Sequence, residues 1–190
     1  MINADVLKDN NYIGVDVNIK GFGLAVFTLE QVHLGFLDMF PYKPEEFNIA
    51  CMSVTWSKSV IRLMDLVEEL ITVERKTIFV IEDPTAMGLT PGAWQTASIL
   101  DKLVGMLSVI AVQDGYALRT PSSVIWKKRV LGKGDAKKPL IQSEMYKIIY
   151  GREGSIENHH VADRAALAYY GYKEDRYGRL EEKEASTSTT

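Results

Sequence analysis

The sequence predicts a single α/β domain whose core is a mixed sheet of about five strands flanked by helices. Two patterns favour this class. Short apolar segments joined by tight turns come first and are typical of an antiparallel meander. Later strand-like segments alternate with long segments of helical period, as parallel strands joined by helical crossovers do. The chain has 190 residues, of which 46% are hydrophobic and 25% charged, enough for one domain with a buried core.

The meander is predicted near the start of the sequence. Residues 12–15 and 22–27 are apolar and flank a polar turn, which indicates a hairpin, and residues 32–40 form the third strand. Asp16 ends the first strand, although a buried strand seldom carries an unpaired carboxylate. Two interpretations stay open at this point. Asp16 caps its own turn, or it joins other acids in a site.

Two helices and two strands are predicted next, and each strand can join the sheet by a right-handed crossover. Residues 53–75 place apolar side chains on one helical face, whereas residues 93–113 are apolar nearly all round, which favours a central helix or an oligomer interface. Residues 76–83 contain a continuous apolar run typical of a strand buried on both faces. Residues 116–119 form a short fifth strand.

Helices are predicted for most of the remaining chain. Thr120 and Pro121 suit the N-cap and the first position of a helix over residues 122–131. Two more helices follow, from residue 135 or 136 to about residue 150 and from about residue 158. We expect the domain to span residues 1–172 and the polar residues 173–190 to be a disordered tail.

Composition narrows the class of protein. The sequence contains one cysteine, Cys51, so no disulfide can form within the chain, which favours a reducing, intracellular compartment. The first residues lack the basic and apolar regions of a signal peptide, and no apolar run reaches the length of a membrane span. We therefore expect a cytoplasmic protein that is not attached to a membrane.

Positive charge is concentrated in residues 119–152, which hold nine basic and two acidic side chains in a chain whose formal net charge is −3. A basic block of this kind on an acidic protein can bind phosphate groups. The alternative is a basic helix face that is only solvated.

Acidic residues stand at positions that packing does not explain. Glu82 and Asp83 end the fourth strand, at the sheet edge where sites form in α/β proteins. Because strand side chains alternate, only one of them can share a face with Asp16. His160 and Asp163 are three residues apart and share a helical face. Alternatively, His160 belongs to an exposed histidine pair and Asp163 complements the helix dipole. Carboxylates with one imidazole suit Mg²⁺ or Mn²⁺, and two such ions are the usual clamp for phosphodiester hydrolysis.

Four motifs carry a more specific signal: IGVDVNIKGFGLAVF, FVIEDP, RTPSSVIWKKRVLGKGDAKK and HHVADRAALA. With them the chain resembles, over residues 12–172, the RuvC-type Holliday junction resolvases of the RNase H-like superfamily, and in particular a bacteriophage-encoded member. The resemblance implies an RNase H-like fold. It also implies a metal-dependent endonuclease that resolves four-way and other branched DNA junctions in recombination and repair.

The resemblance further implies roles for single residues. Asp16, Glu82 and Asp163 match the family's three carboxylates, and His160 stands where many members have a fourth Asp. These four residues would hold two Mg²⁺ or Mn²⁺ ions per active site. Lys138 matches a lysine that stabilises charge on the scissile phosphate. Lys127 and Lys138 match the two lysines that the family uses for phosphate binding and catalysis. Further candidates for DNA binding lie in the basic block, in the turn after Asp16 and in the loop after Glu82: Lys128, Lys133, Lys137, Lys20 and Met87.

Partners follow from the same resemblance. A four-way junction has two-fold symmetry and requires two cuts, so the implied assembly is a homodimer, with residues 93–113 as the candidate interface. The implied location is the cytoplasm of a bacterial host.

One departure from the family concerns the loop after Glu82, where family members carry an aromatic wedge. This loop has no aromatic residue. Met87 is a softer apolar candidate, and Trp94 is a second one, for which a place in the core or an interface is the alternative. We therefore expect a nuclease that follows DNA structure more than sequence.

Two other functions stay open. Another RNase H-like nuclease would cut RNA–DNA hybrids or flaps, although the GKGDAKK block favours a resolvase. A junction-binding protein that no longer cuts would not need all four ligands, and all four are present. An actin-like ATPase requires two such domains, more than 190 residues can supply.

Overall fold

The computed structural model describes residues 10–18, 21–28, 32–38, 49–71, 74–84 and 93–187. Its centre is a five-stranded sheet with the strand order β3-β2-β1-β4-β5. The first three strands form the predicted antiparallel meander, and β4 and β5 run parallel to β1. The strands are β1 (Asn10–Asn18), β2 (Gly21–Phe27), β3 (Val32–Asp38), β4 (Lys76–Ile81) and β5 (Ala117–Arg119).

Five helices of the described part flank this sheet, and none of them is long and apolar enough to cross a membrane. Helix α1 connects β3 to β4, and β4 pairs with β1, so the central strand β1 has β2 on one side and β4 on the other. The helices are α1 (Ile49–Leu70), α2 (Ala93–Gln113), α3 (Ser123–Leu131), α4 (Lys138–Tyr150) and α5 (His159–Thr187).

Alternation along the strands divides the core into two layers. Ile13, Val15 and Phe79 lie on the face that packs against α1 and α2. Tyr12 and Ile78 lie on the other face, which packs against α3, α4 and α5. All of these side chains are buried, so both faces of the sheet are covered. By the same alternation, Asp16 on β1 and Glu82 directly after β4 face α5.

Helix α5 approaches the central strand very closely. A Cβ atom at Gly14 would lie 2.1 Å from the Arg164 carbonyl oxygen and 2.5 Å from the Ala168 nitrogen. Only glycine allows this approach, because any side chain at position 14 would push the helix away. Ala165 and Ala168 are fully buried and keep the facing side of the helix small. The first turn of α5 is thereby held at the carboxyl end of β1.

The start of α3 differs from the sequence prediction. The helix begins at Ser123 with Ser122 as its cap residue, so the predicted N-cap at Thr120 is wrong. The reason lies in the sheet: the Pro121 carbonyl accepts a hydrogen bond of 3.0 Å from the Asp83 N–H. This bond keeps the segment extended beside the end of β4. Two other helix boundaries also differ from the prediction, since α1 ends at residue 70 and α4 begins at residue 138, whereas α2 spans the predicted residues 93–113.

Helix α5 is longer than the sequence predicted, and it ties the C-terminal part to the sheet. Asp175 accepts hydrogen bonds of 2.8 Å from the Asn10 amide and the Tyr12 hydroxyl, and it pairs with Arg119 on β5. Helix α5 therefore continues through residues 173–177, where the sequence predicted a disordered tail. Composition was misleading because these polar residues find partners within the domain. Side chains after residue 177 and residues 188–190 lie outside the description.

Candidate active site

The four predicted ligands meet where β1 and β4 end and α5 begins. In the parallel register Val15 of β1 is paired with Ile81 of β4. Asp16 and Glu82 therefore occupy the next positions on neighbouring strands and face the same layer. The charges of Asp16 and Asp163 both act on Glu82, which places Glu82 near these two acids.

The helix contributes its first turn to the same place. The Asn158 side chain accepts a hydrogen bond of 2.9 Å from the His160 N–H and so caps the start of α5. His160 and Asp163 then face the strand ends three residues apart. Their roles as ligands stay predictions, but the structure places all four side chains together.

Glu82 has a strongly altered acidity. Burial, with a smaller contribution from the charges of Asp16 and Asp163, raises its pKa from 4.5 to about 7. Two groups oppose this rise. The Trp126 indole N–H donates a hydrogen bond of 3.1 Å to Glu82 Oε2, and the Lys127 charge also lowers the pKa. Because Trp126 is fully buried, this hydrogen bond fixes one carboxylate oxygen from inside the core.

Asp163 also has a raised pKa. Burial raises its pKa to about 6, and the Asp16 charge is the next cause of the increase. Lys127, His160 and Lys138 lower it. Two half-buried carboxyl groups near a third acid thus bind protons more tightly than they would in water. A site with this property gains stability from any cation that replaces those protons.

Asp16 and His160 are in direct contact. The His160 Nδ1 atom lies 3.0 Å from Asp16 Oδ2. When the Nδ1 proton is donated to this carboxylate, the neutral ring keeps its lone pair on Nε2, where it can bind a metal ion. The His160 ring also stacks on His159, with 4.0 Å between ring centroids. Burial, followed by the charge of His160, lowers the pKa of His159.

The donor set suits a hard divalent cation. Three carboxylates and one imidazole are ligands that Mg²⁺ and Mn²⁺ accept. Burial, together with the Asp16 charge, raises the pKa values of Glu82 and Asp163, so a cation at this place would favour their ionised forms. Within the described ranges no three His, Cys, Asp or Glu residues already stand at ligating distances from one point. The residues fit the ion by chemistry, and small side-chain movements would be required to enclose it.

Only some of the predicted lysines reach this cluster. The charges of Lys127 on α3 and Lys138 at the start of α4 both lower the Asp163 pKa. Lys128, Lys133 and Lys137 are exposed on the surface, and Lys128 lines a shallow groove beside Arg129 and Tyr170. Two predicted residues, Lys20 and Met87, lie outside the described residues, as does the side chain of Trp94.

Three residues near the site were not predicted from the sequence. Trp126 holds Glu82, His159 stacks on His160, and Arg164 is fully buried next to Asp163. The sequence did contain a signal for Arg164, because it is a charged residue within the otherwise small and apolar stretch ADRAALA. The signal for Trp126 was weaker, namely one aromatic residue directly before the basic run WKKR.

Comparisons with known proteins bear on the fold. No protein family model matches the sequence, and no curated protein matches it. The structure of RuvC from Thermus thermophilus is similar, with a TM-score of 0.65 and 18% identity over 88% of this chain and 96% of that one. RuvC from the same organism in complex with a Holliday junction substrate gives a TM-score of 0.66 and 16% identity with the same coverage. The chain therefore has a RuvC-like, RNase H-like fold, as the motifs predicted.

Proposed function

We propose that this protein is a metal-dependent endonuclease that cuts branched DNA, with four-way junctions as its principal substrate. One observation carries the proposal: three carboxylates and an imidazole converge at the carboxyl edge of the sheet of a RuvC-like fold. The solved structure of a similar protein with a Holliday junction supports the choice of substrate. A bacteriophage-encoded enzyme acting in the cytoplasm of a bacterial host fits the same proposal.

Asp16, Glu82, His160 and Asp163 would hold two Mg²⁺ or Mn²⁺ ions. When bound at such a site, these ions activate a water molecule and stabilise the leaving oxygen of a phosphodiester. The residues of the chain prepare the site for this. Glu82 and Asp163 release their protons between about pH 6 and pH 7, and Trp126 keeps one Glu82 oxygen oriented by its indole N–H.

Two lysines would act on the DNA within the site. Lys127 and Lys138 flank the carboxylates from α3 and α4, and their charges already reach Asp163. Lys138 would stabilise negative charge on the scissile phosphate. The exposed basic residues of α3 and the segment before α4 would bind the phosphates further along the DNA. This surface would include Lys128, Lys133 and Lys137.

A homodimer would match the two-fold symmetry of a junction. Helix α2 covers the sheet face opposite to the site with its buried residues, and it leaves other apolar side chains in water. Val109 and Val112 are 59% and 58% exposed, and the space around Gly105 on the same helix is open. Two copies pairing through α2 would bury this surface and leave both candidate sites accessible to DNA.

Cleavage of defined substrates tests the proposal. The full chain is incubated with labelled four-way junction, Y-fork, RNA–DNA hybrid and plain duplex, each with Mg²⁺, Mn²⁺ or EDTA. Paired symmetric nicks in the junction, dependent on metal, are expected. Cleavage of the hybrid alone would refute the resolvase function. Binding of the junction without cutting in either metal would identify a protein that recognises junctions without hydrolysing them.

A further inference from the structure

Arg164 on α5 has no place in the mechanism proposed above, yet it lies directly beneath the site. It follows Asp163 in the sequence and is 0% exposed. Among the residues whose burial the structure describes, no other charged side chain is buried to this degree. A guanidinium group in the interior is costly unless nearby negative charges offset its desolvation.

The sheet provides a slot for this side chain at Gly23 of β2. A Cβ atom at Gly23 would lie 1.4 Å from the Arg164 Nε and 2.0 Å from its Cζ. The guanidinium group therefore occupies the space that a side chain at position 23 would fill. In the antiparallel register Gly23 is paired with Asp16. Arg164 thus crosses from α5 to the strand position next to Asp16, underneath the cluster of carboxylates.

Negative charge surrounds the guanidinium group from two elements. Desolvation lowers the pKa of Arg164, whereas Asp16 on β1 and Asp163 on α5 raise it. An arginine remains protonated even when it is buried, so this positive charge is permanent. It also differs from the charges of Lys127 and Lys138, which lie on side chains that reach solvent and are screened by salt.

We propose that Arg164 is a built-in counter-ion that keeps Asp16 and Asp163 in place while no metal ion is bound. The inference rests on the proposed metal site and adds a residue that positions its ligands from below. Without a cation, the acids at this edge would repel one another and move apart. With Arg164 in the Gly23 slot, the metal-free protein keeps these two carboxylates near the arrangement that a divalent cation requires.

A purely structural role would be different, because the long side chain could simply fill the space over Gly23. Arg164→Met keeps most of the volume and removes the charge, and Arg164→Lys keeps the charge. The thermal unfolding midpoint of each full-length protein is measured in EDTA and in saturating Mn²⁺. We expect Arg164→Met to lower the midpoint by on the order of 10 °C in EDTA and by less than half of that in Mn²⁺. Arg164→Lys should remain closer to the wild type in EDTA.

The result separates three cases. If Mn²⁺ fails to raise the midpoint of the wild type, the proposed metal site is wrong. If Mn²⁺ raises the midpoints of the wild type and Arg164→Met by the same amount, the metal site stands and the counter-ion is refuted. Loss of packing alone would lower the midpoint equally in EDTA and in Mn²⁺. A metal-induced rise that is clearly larger in Arg164→Met supports the counter-ion.

A double variant covers the case in which Arg164→Met does not fold in either medium. Removing one negative charge should then compensate for the missing positive charge, so Arg164→Met/Asp163→Asn should recover a cooperative unfolding transition in EDTA. Failure of this double variant to recover folding would overturn the inference.

The slot itself can be tested in a similar way. Gly23→Ala should strongly destabilise the wild type, because the new methyl group meets the guanidinium, and should cost far less in an Arg164→Ala background. Equal costs in both backgrounds would show that Arg164 does not occupy the slot.

Discussion

The two faces of the central strand β1 lie in different environments. Val15 faces α1 and α2 in a layer of large, fully buried apolar side chains. Its neighbour Asp16 faces α5, in a layer where Gly14 and Gly23 replace side chains and Arg164 brings a charge into the interior. One face maximises apolar packing, and the other gives up packing volume so that a helix can place polar groups on the strand ends. We expect changes at Val15 to reduce stability and changes at Asp16 to reduce the rate of cleavage.

The largest effect on cleavage should come from a substitution at Asp16, and the adjacent Val15 provides the control. Asp16→Asn removes one charge from the metal ligands and should lower junction cleavage by on the order of 10³-fold or more, with DNA binding retained. Val15→Ala is the matched control, because it should lower the free energy of unfolding by about 2 kcal/mol and leave the cleavage rate of the folded protein unchanged. Cleavage is measured in single turnover and binding in EDTA. Normal cutting by Asp16→Asn would show that the metal site has been misplaced.

A second comparison concerns two lysines of the basic segment, Lys133 and Lys138. Both side chains are exposed, but the Lys138 charge lowers the pKa of Asp163, whereas Lys133 is not among the charges that do so. Lys138→Ala should lower single-turnover cleavage by about 10²-fold with little loss of affinity. Lys133→Ala should mainly weaken binding and reduce the salt dependence of the affinity by about one counter-ion. The same effect of both variants on rate and affinity would contradict a distinct role for Lys138.

Trp126→Phe should have a smaller effect at neutral pH. Phenylalanine keeps most of the buried ring but cannot donate the hydrogen bond that lowers the pKa of Glu82. The carboxyl group then holds its proton to higher pH, so cleavage at pH 7 should fall by roughly tenfold. The loss should shrink as the pH is raised to about 9, where Glu82 is ionised in both proteins. A constant loss across that range would indicate a packing defect instead.

The last comparison concerns stability as a function of pH. In the folded protein the pKa values of Glu82 and Asp163 are raised from 4.5 and 3.8 to about 7 and about 6. Between about pH 4 and pH 7 the folded state therefore binds more protons than the unfolded state. Consequently, the metal-free protein should lose stability as the pH rises through this window.

Urea unfolding in EDTA at several pH values measures this trend, and Glu82→Gln is the control. This variant keeps an oxygen for the Trp126 hydrogen bond and should remove the part of the trend near pH 7. Mn²⁺ competes with the same protons, so its stabilising effect should increase from about pH 5.5 to pH 7.5. Stability of the metal-free protein that rises through pH 6–7 would contradict the assigned pKa values.

Much of this arrangement could be predicted from the sequence because strand alternation and helical period are local properties. The apolar runs before Asp16 and Glu82 placed both acids at strand ends, and the spacing of His160 and Asp163 placed them on one helical turn. Those patterns also predicted the meander and the parallel pair, and the structure contains both.

Other features depended on contacts between distant parts of the chain. Three contacts join elements that lie far apart in the sequence. They are the hydrogen bond from His160 to Asp16, the hydrogen bond from the Trp126 indole to Glu82, and the hydrogen bond from Tyr12 to Asp175. The Arg164 side chain in the Gly23 slot is the clearest case. A charged residue in a helix and a glycine in a strand each have ordinary local explanations. Only the close approach of α5 to the sheet brings the Arg164 side chain into the space over Gly23. Burial and desolvation depend on the whole tertiary structure, so the sequence alone does not determine them.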